Sequence, residues 1–470
     1  MPDKKPSASS NLPRPGSPGA WLPALRGVKR IFAPVERFLA IEASSGILLM
    51  IAAAFALGWA NSPWHPLYDS LWNIPIGVKF GSFQFERTLH FWINDGLMTV
   101  FFFVVGLEIR REVHAGELSE VRRAALPLAV AVGGMVVPAI IFASLNRDRA
   151  SSVGWAIPMA TDIAFAVGVL GLLGGRITPA LRIFLLALAI TDDVGAILVI
   201  ALFYSSELAP LGFIVAALGI LLTFSLRLVG VRSPLVYVGP GTIIWAGAYL
   251  AGIHPTLAGV VMGFMTPVTA WYGTDGFLNE TEERLRFLRA NESTDERSLL
   301  PQLKTLGIAT REAVSPVERL QYLLHGWVAY GVMPLFAFAN AGVRIGQISF
   351  AGDALWIFLG VALGLTIGKP IGIVAVSWLA VRAGVAILPR GMQWRAVAVV
   401  GLVGGIGFTM ALFVAQLAFP DGPFLEVAKL AILCGSGLAG IFSLLAGYRT
   451  LKLQDEPAIG LSGAESSTLE

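Results

Sequence analysis

Apolar stretches of about 20 residues recur along the whole chain, separated by short polar interruptions. That is the length a helix needs to cross roughly 30 Å of hydrocarbon. This feature excludes a soluble globular domain. Composition agrees: of 470 residues, 55% are hydrophobic and 14% charged, with a mean hydropathy of +0.72, against roughly 25% charged residues in an ordinary soluble domain. Read against Gly, Pro and charge punctuation, the runs predict an all-α polytopic membrane protein of about twelve transmembrane helices. Their approximate positions are 41–61, 89–109, 124–144, 152–173, 179–204, 209–228, 233–250, 253–270, 321–343, 354–381, 396–418 and 425–447.

Loop charge predicts the orientation, because Lys and Arg stay on the cytoplasmic side. Arg110, Arg111, Arg122, Arg123, Arg176, Arg182, Arg227, Arg232, Arg382, Arg390, Arg395, Arg449 and Lys452 fall on one side of the alternating count. The other side carries Lys79, Arg87, Arg147, Arg149 and Arg344. Both termini are therefore predicted cytoplasmic. Residues 1–38 and 451–470 read as disordered polar tails flanking a transmembrane domain over 39–450. The 34 Lys+Arg against 31 Asp+Glu leave a net charge of +3, which gives no reason to expect a nucleic-acid partner. Cys434, the single cysteine, excludes an intramolecular disulfide and is expected to pack.

Two connections are long. From Leu71 to Phe85, alternating apolar positions with Gly77 and Gly81 predict a periplasmic β-hairpin within about 71–88, expected to serve as a homodimer contact. The stretch 271–320 is charged and predicted to be a cytoplasmic loop, with a short surface helix near Glu282–Arg289.

Within the spans, ionisable groups are few. Each costs on the order of 3 kcal/mol or more at the bilayer centre and therefore needs a reason. Asp95, Glu108, Asp162, Asp192, Asp193 and Lys369 stand out, the first two nearer the ends of their span. Thr161 and Asp162 follow Pro158, which disfavours a continuous helix. A hydroxyl, a carboxylate and freed carbonyls at membrane depth suit a hard cation, while Asp162 could equally cap a half-helix. Asp192 and Asp193 point about 100° apart on a helix, so one can line a cavity while the other pairs elsewhere. Lys369 needs a carboxylate or a half-helix C-terminus, and a structural ion pair and a direct part in proton exchange both fit it. The glycines from Gly401 to Gly407 predict a second interrupted helix, or else close helix packing.

The ordered motifs Trp92-Ile93-Asn94-Asp95, Val105-Gly106-Leu107-Glu108, Gly154-Trp155-Ala156-Ile157-Pro158, Ala160-Thr161-Asp162-Ile163-Ala164-Phe165, Asp192-Asp193, His254-Pro255-Thr256-Leu257, Pro334-Leu335-Phe336-Ala337-Phe338-Ala339-Asn340-Ala341-Gly342, Gly368-Lys369-Pro370 and Gly405-Ile406-Gly407-Phe408-Thr409-Met410 closely resemble the NhaA sodium/proton antiporters, from about Ile41 to Tyr448. The resemblance implies inverted repeats with two broken helices crossing at mid-membrane, a pattern of which NhaA proteins are themselves a standing example. It further implies a secondary transporter of the bacterial inner membrane, not an enzyme, with no cofactor. It would exchange cytoplasmic Na+ or Li+ for external H+ in an electrogenic, pH-regulated cycle. By motif match, Asp193 is the main cation-binding carboxylate, Asp192 its partner that pairs with Lys369, and Asp162 with Thr161 the group at the crossing. Asp95, Glu108, Arg111, Glu112, His254 and His325 fall in the access and pH-response region. Gln321 and Tyr322 depart from the family's acidic and histidine pattern, and about 272–315 is an insertion. Two other classes bear weighing. An intramembrane aspartyl protease would need two aspartates sharing a proton, and its Gly-x-Gly-Asp signature is missing. A passive cation channel would conduct without proton coupling.

Overall fold

A computed structural model describes residues 44–451, apart from 82, 206–207, 291–295, 390 and 421. The expectations for the two tails, and for Arg390 and Lys452 as orienting charges, lie outside the described residues but for Leu451. Helix α1 (Ser44–Ala60) turns through 117° into α2 (His65–Trp72). Strands β1 (Pro75–Phe80) and β2 (Phe83–Thr88) form the hairpin expected from the alternation, antiparallel with Pro75 opposite Thr88 and Phe80 opposite Phe83. Gly81 turns it at φ 60°, a left-handed conformation that suits glycine.

Helices α3 (Leu89–Ala115), α4 (Val121–Leu145), α6 (Pro179–Phe203) and α7 (Pro210–Leu228) are long and apolar. Between α4 and α6 the chain forms a 3-10 helix, Ala150–Met159, and then α5 (Ile163–Gly171). Next come α8 (Val238–Leu250), α9 (Leu257–Met265), α10 (Gly273–Ala290) and α11 (Glu296–Glu312). Helix α12 runs through Pro316–Trp327, a π turn Val328–Val332 and Met333–Asn340. The series ends with α13 (Asp353–Arg382), α14 (Trp394–Gly404), α15 (Phe408–Ala418) and α16 (Pro423–Thr450). Among the described residues, seven helices are long and apolar enough to cross a membrane, or up to ten if each of three bent pairs is one span. The two short helices α8 and α9 explain part of the difference from twelve. The runs near 233–250 and 253–270 are each apolar enough, but α9 is confined to nine residues by the turn at Gly252 (φ 77°) and the loop through Pro255 on one side and extended Thr266 on the other.

Close helix contacts follow glycine seams, as expected where dispersion rather than hydrophobicity drives association. A Cβ at Gly133 would meet Gly372 O at 2.5 Å, and one at Gly372 would meet Gly133 O at 2.1 Å, so α4 and α13 touch backbone to backbone. Gly259 brings α9 onto Thr99 of α3 in the same way, at 2.2 Å. The stretch 271–320 is more ordered than a charged loop. It is a helical hairpin, α10 and α11, tied by Arg284 to Gln302 (3.2 Å) and closed at its base by Tyr272 N donating to Glu312 O (3.1 Å). Its charges form i,i+4 pairs such as Glu280–Arg284 at 2.8 Å, which stabilise helix rather than loop. Cys434 does not pack in the core as expected; it is exposed on α16.

Candidate functional site

The two helix breaks meet. The 3-10 helix Ala150–Met159 and α5 are bent by 46° across extended Ala160–Asp162, and α14 and α15 are bent by the same 46° across Gly405–Gly407. Asp162 N donates to Ile406 O at 2.8 Å, joining the breaks directly. Gly405 is required here by proximity, since a Cβ would stand 2.4 Å from Leu365 O of α13. Both readings of 401–407 therefore hold: the helix is interrupted, and its glycines permit close packing.

Four half-helix ends converge at the crossing, two exposing N–H groups and two exposing carbonyls, each with a partial charge. Asp162 serves the positive ends. Its Oδ1 accepts from Phe165 N (2.9 Å), and its Oδ2 accepts from Thr409 N (3.1 Å) and from the Thr409 hydroxyl. It is the N-cap of α5 and at the same time a bridge to α15. Lys369 serves a negative end, its Nζ donating to Met159 O while lying 3.0 Å from Asp192 Oδ2. The ammonium thus has both the carboxylate and the half-helix C-terminus that a fully buried position demands. Thr161 Oγ1 donates to Asp192 Oδ2 (2.7 Å) and lies 3.2 Å from Gly404 O, the other negative end.

Asp192 and Asp193 are 1% and 2% exposed. Asp192 Oδ1 is buried with no hydrogen-bond partner among the described residues. Asp193, the next residue of α6, makes no hydrogen bond or ion pair among them and is equally buried. Asp162 and Asp192 take separate partners, unlike an aspartyl dyad sharing one proton.

The structure brings Asp162, Thr161, Asp192, Asp193 and Lys369 together, and Glu108 lies half-buried on α3. The other candidates stand apart. Asp95 lies in a π turn, Trp92–Leu97, and faces His254 Nδ1 at 3.4 Å. Thirteen residues of helix, roughly 20 Å, separate it from Glu108. Arg111 and Glu112 approach at 4.0 Å near the other end of α3, where Glu112 Oε1 accepts from Glu117 N. His325 is exposed on α12. Sequence reasoning missed Thr409 as the second cap partner of Asp162, and Ser436, whose Oγ accepts from Phe408 N at 3.0 Å. It also missed a polar group in which buried Asn94 and Asn340 meet half-buried His90 and Gln416. Thr409, Asn94 and Asn340 sat inside recognised motifs, but none carries a formal charge to advertise its cost in lipid.

Crossed helix breaks around buried carboxylates and one ammonium, in a polytopic helical bundle, define the class: a multi-pass membrane protein of the secondary-transporter type. The family described as Na+/H+ antiporter 1 matches residues 36–446, and the chain belongs to that family. It is 54% identical to the Na(+)/H(+) antiporter NhaA 2 of Sorangium cellulosum (strain So ce56), over 97% of this chain and 98% of that one. It is 50% identical to the Na(+)/H(+) antiporter NhaA 2 of Myxococcus xanthus (strain DK1622), over 98% of both. The Na(+)/H(+) antiporter NhaA of Bordetella petrii (strain ATCC BAA-461 / DSM 12804 / CCUG 43448) is 48% identical over 94% of both chains.

Proposed function

We propose that this protein exchanges cytoplasmic Na+, or Li+, for external H+ across a bacterial inner membrane, with both termini cytoplasmic. Asp193 and Asp192 would be the carboxylates for which the ions compete. The observation that carries the reading is the charge imbalance at the crossing. Three buried carboxylates, Asp162, Asp192 and Asp193, meet at the crossing with one ammonium, Lys369, which pairs with Asp192 alone, and Asp193 with one oxygen of Asp192 is left without a hydrogen-bond partner among the described residues. Such a site is too costly to leave ionised in an apolar barrier, so it must be loaded with protons or a cation before it reorients. Competition for one set of charges couples the two fluxes.

In the cycle we infer, a cation arriving at Asp193 draws Asp192 toward it and away from Lys369. The ammonium, left buried without its counter-charge, gives up a proton. The cation also displaces the proton that Asp193 carries in the proton-loaded form, so two protons leave the site for each sodium ion bound and exchange is electrogenic. Asp162, fully occupied by donors from α5 and α15, holds the crossing rather than the ion. Asp95 with His254, and Glu108, Arg111, Glu112 and His325, form the access and pH-response groups on either side. The family membership and the names of the relatives support the exchange. The finer assignments rest on the geometry of the crossing.

Sodium-dependent proton movement in proteoliposomes tests this, comparing the intact protein with Asp193→Asn across a pH series. Sodium should dissipate an imposed proton gradient with the intact protein and not with the variant. An equally active variant would remove Asp193 from the site, and sodium flux without proton movement would make the protein a channel.

A further inference from the structure

The group formed by His90, Asn94, Asn340 and Gln416 joins three elements at the end of the bundle that carries the β-hairpin. Asn340 is its hub, at the end of α12, and is fully buried. Its Nδ2 donates to Asn94 Oδ1 in α3 (2.8 Å) and to Phe336 O (2.9 Å). Its Oδ1 accepts from Gln416 Nε2 in α15 and lies 2.9 Å from His90 Nε2. An amide has two donors and two acceptor positions, and all four are used. Because Oδ1 can only accept, His90 must donate through Nε2.

A fully satisfied amide hub is costly to break in a dry setting. It clasps the half-helix α15, whose other end carries Thr409 and the crossing. Between hub and crossing lie Phe336 and Phe413, about one turn inward from Asn340 and Gln416, and Phe102, just over two turns from Asn94. They are at most 1% exposed, with Phe413 against Phe102 (5.3 Å) and Phe336 (6.2 Å). The site is therefore shut off from the hairpin side by an aromatic layer with a polar clasp behind it.

We infer that His90, Asn94, Asn340 and Gln416 are positioning residues that latch α15 against α3 and α12 and hold the molecule closed on its hairpin side. This rests on the proposed exchange only in that α15 must shift for the site to open toward that side. Breaking the latch shifts population toward the hairpin-side-open form, so apparent affinities move oppositely for ions offered from the two sides.

The test is Gln416→Leu, which keeps size and leaves Asn340 Oδ1 its bond from His90. A second variant, Asn340→Asp, removes both donors. In proteoliposomes of defined orientation, the apparent KM for Na+ should fall on the hairpin side and rise on the opposite side. A change of about five-fold is expected for one part-buried hydrogen bond in Gln416→Leu, and a larger one in the same direction for Asn340→Asp. Amide hydrogen exchange of the segment 408–418 should rise in both, whether or not the protein transports. Unchanged KM and exchange, or a KM shift equal on both sides with a general loss of protection, would overturn the latch. Raised exchange at 408–418 beside an intact protein that moves no protons would keep the latch and reject the transport reading.

Discussion

Lys369 is the residue on which the most depends. Removing it leaves Asp192 buried without a counter-ion, and breaking a buried pair from one side costs about 3–5 kcal/mol. Lys369→Ala should lower the unfolding temperature in detergent well below that of the intact protein. The double variant Lys369→Leu with Asp192→Asn should recover much of the loss, since neither charge then remains, while transport stays lost. Asp162→Asn should also fail, for a different reason. Oδ1 and Oδ2 both accept backbone N–H groups, from Phe165 and Thr409, so one face of an amide there would set donor against donor. We expect loss of both thermal stability and exchange, whereas Thr409→Ser, which keeps the hydroxyl and the N–H, should retain most of each. These charged residues were legible in the sequence because a charge in lipid has no cheap explanation. Asn340 and Gln416 were not. An amide's expense shows only once its neighbours are known.

At the scale of elements, Pro158 and the glycines 401–407 announced both breaks, and the hairpin announced itself by alternation. Three π turns did not: Trp92–Leu97, Val328–Val332 and Gly364–Gly368. The first holds Asn94 and Asp95 and the last delivers Lys369, in keeping with the habit of such bulges to sit at functional positions. One extra residue in a turn leaves no mark on an apolar run, which is why periodicity passed over them. The crossing itself sets a graded prediction. A methyl at Gly405 would meet the backbone oxygen of Leu365 at 2.4 Å, whereas one at Gly407 meets the Leu365 side chain at 2.9 Å and Ala160 O at 3.0 Å. Side chains yield where backbone does not, so Gly405→Ala should cost more in unfolding temperature and exchange rate than Gly407→Ala.

Taken as a whole, the molecule is a membrane bundle with two appendages, and each can be tested separately. The helical hairpin α10–α11 begins and ends at one place, Tyr272 against Glu312 at 3.1 Å, while Glu312 pairs with Arg311 at 2.9 Å. Excising 273–310 and bridging Tyr272 to Arg311 by a short linker should therefore leave the unfolding temperature and Na+-driven proton flux close to those of the full chain. The β-hairpin is a two-stranded sheet that carries the exposed apolar side chains Ile76 and Val78. We propose that the hairpin is the homodimer contact expected from the sequence: replacing 75–88 by a short turn should then remove any dimer seen by native mass spectrometry from lipid, while Na+-driven proton flux persists. Charge counting and apolar length revealed the bundle and a short surface helix near Glu282–Arg289, which lies within α10, but neither the full length of α10 nor α11, because these helices carry ion pairs on a polar surface and no apolar run. Cys434 gives the whole molecule one further property. As the chain's single thiol, exposed on the last helix two residues before Ser436, it can carry a fluorophore or spin label on the native sequence. Rearrangements of the bundle could then be followed by spectroscopy without altering a single residue.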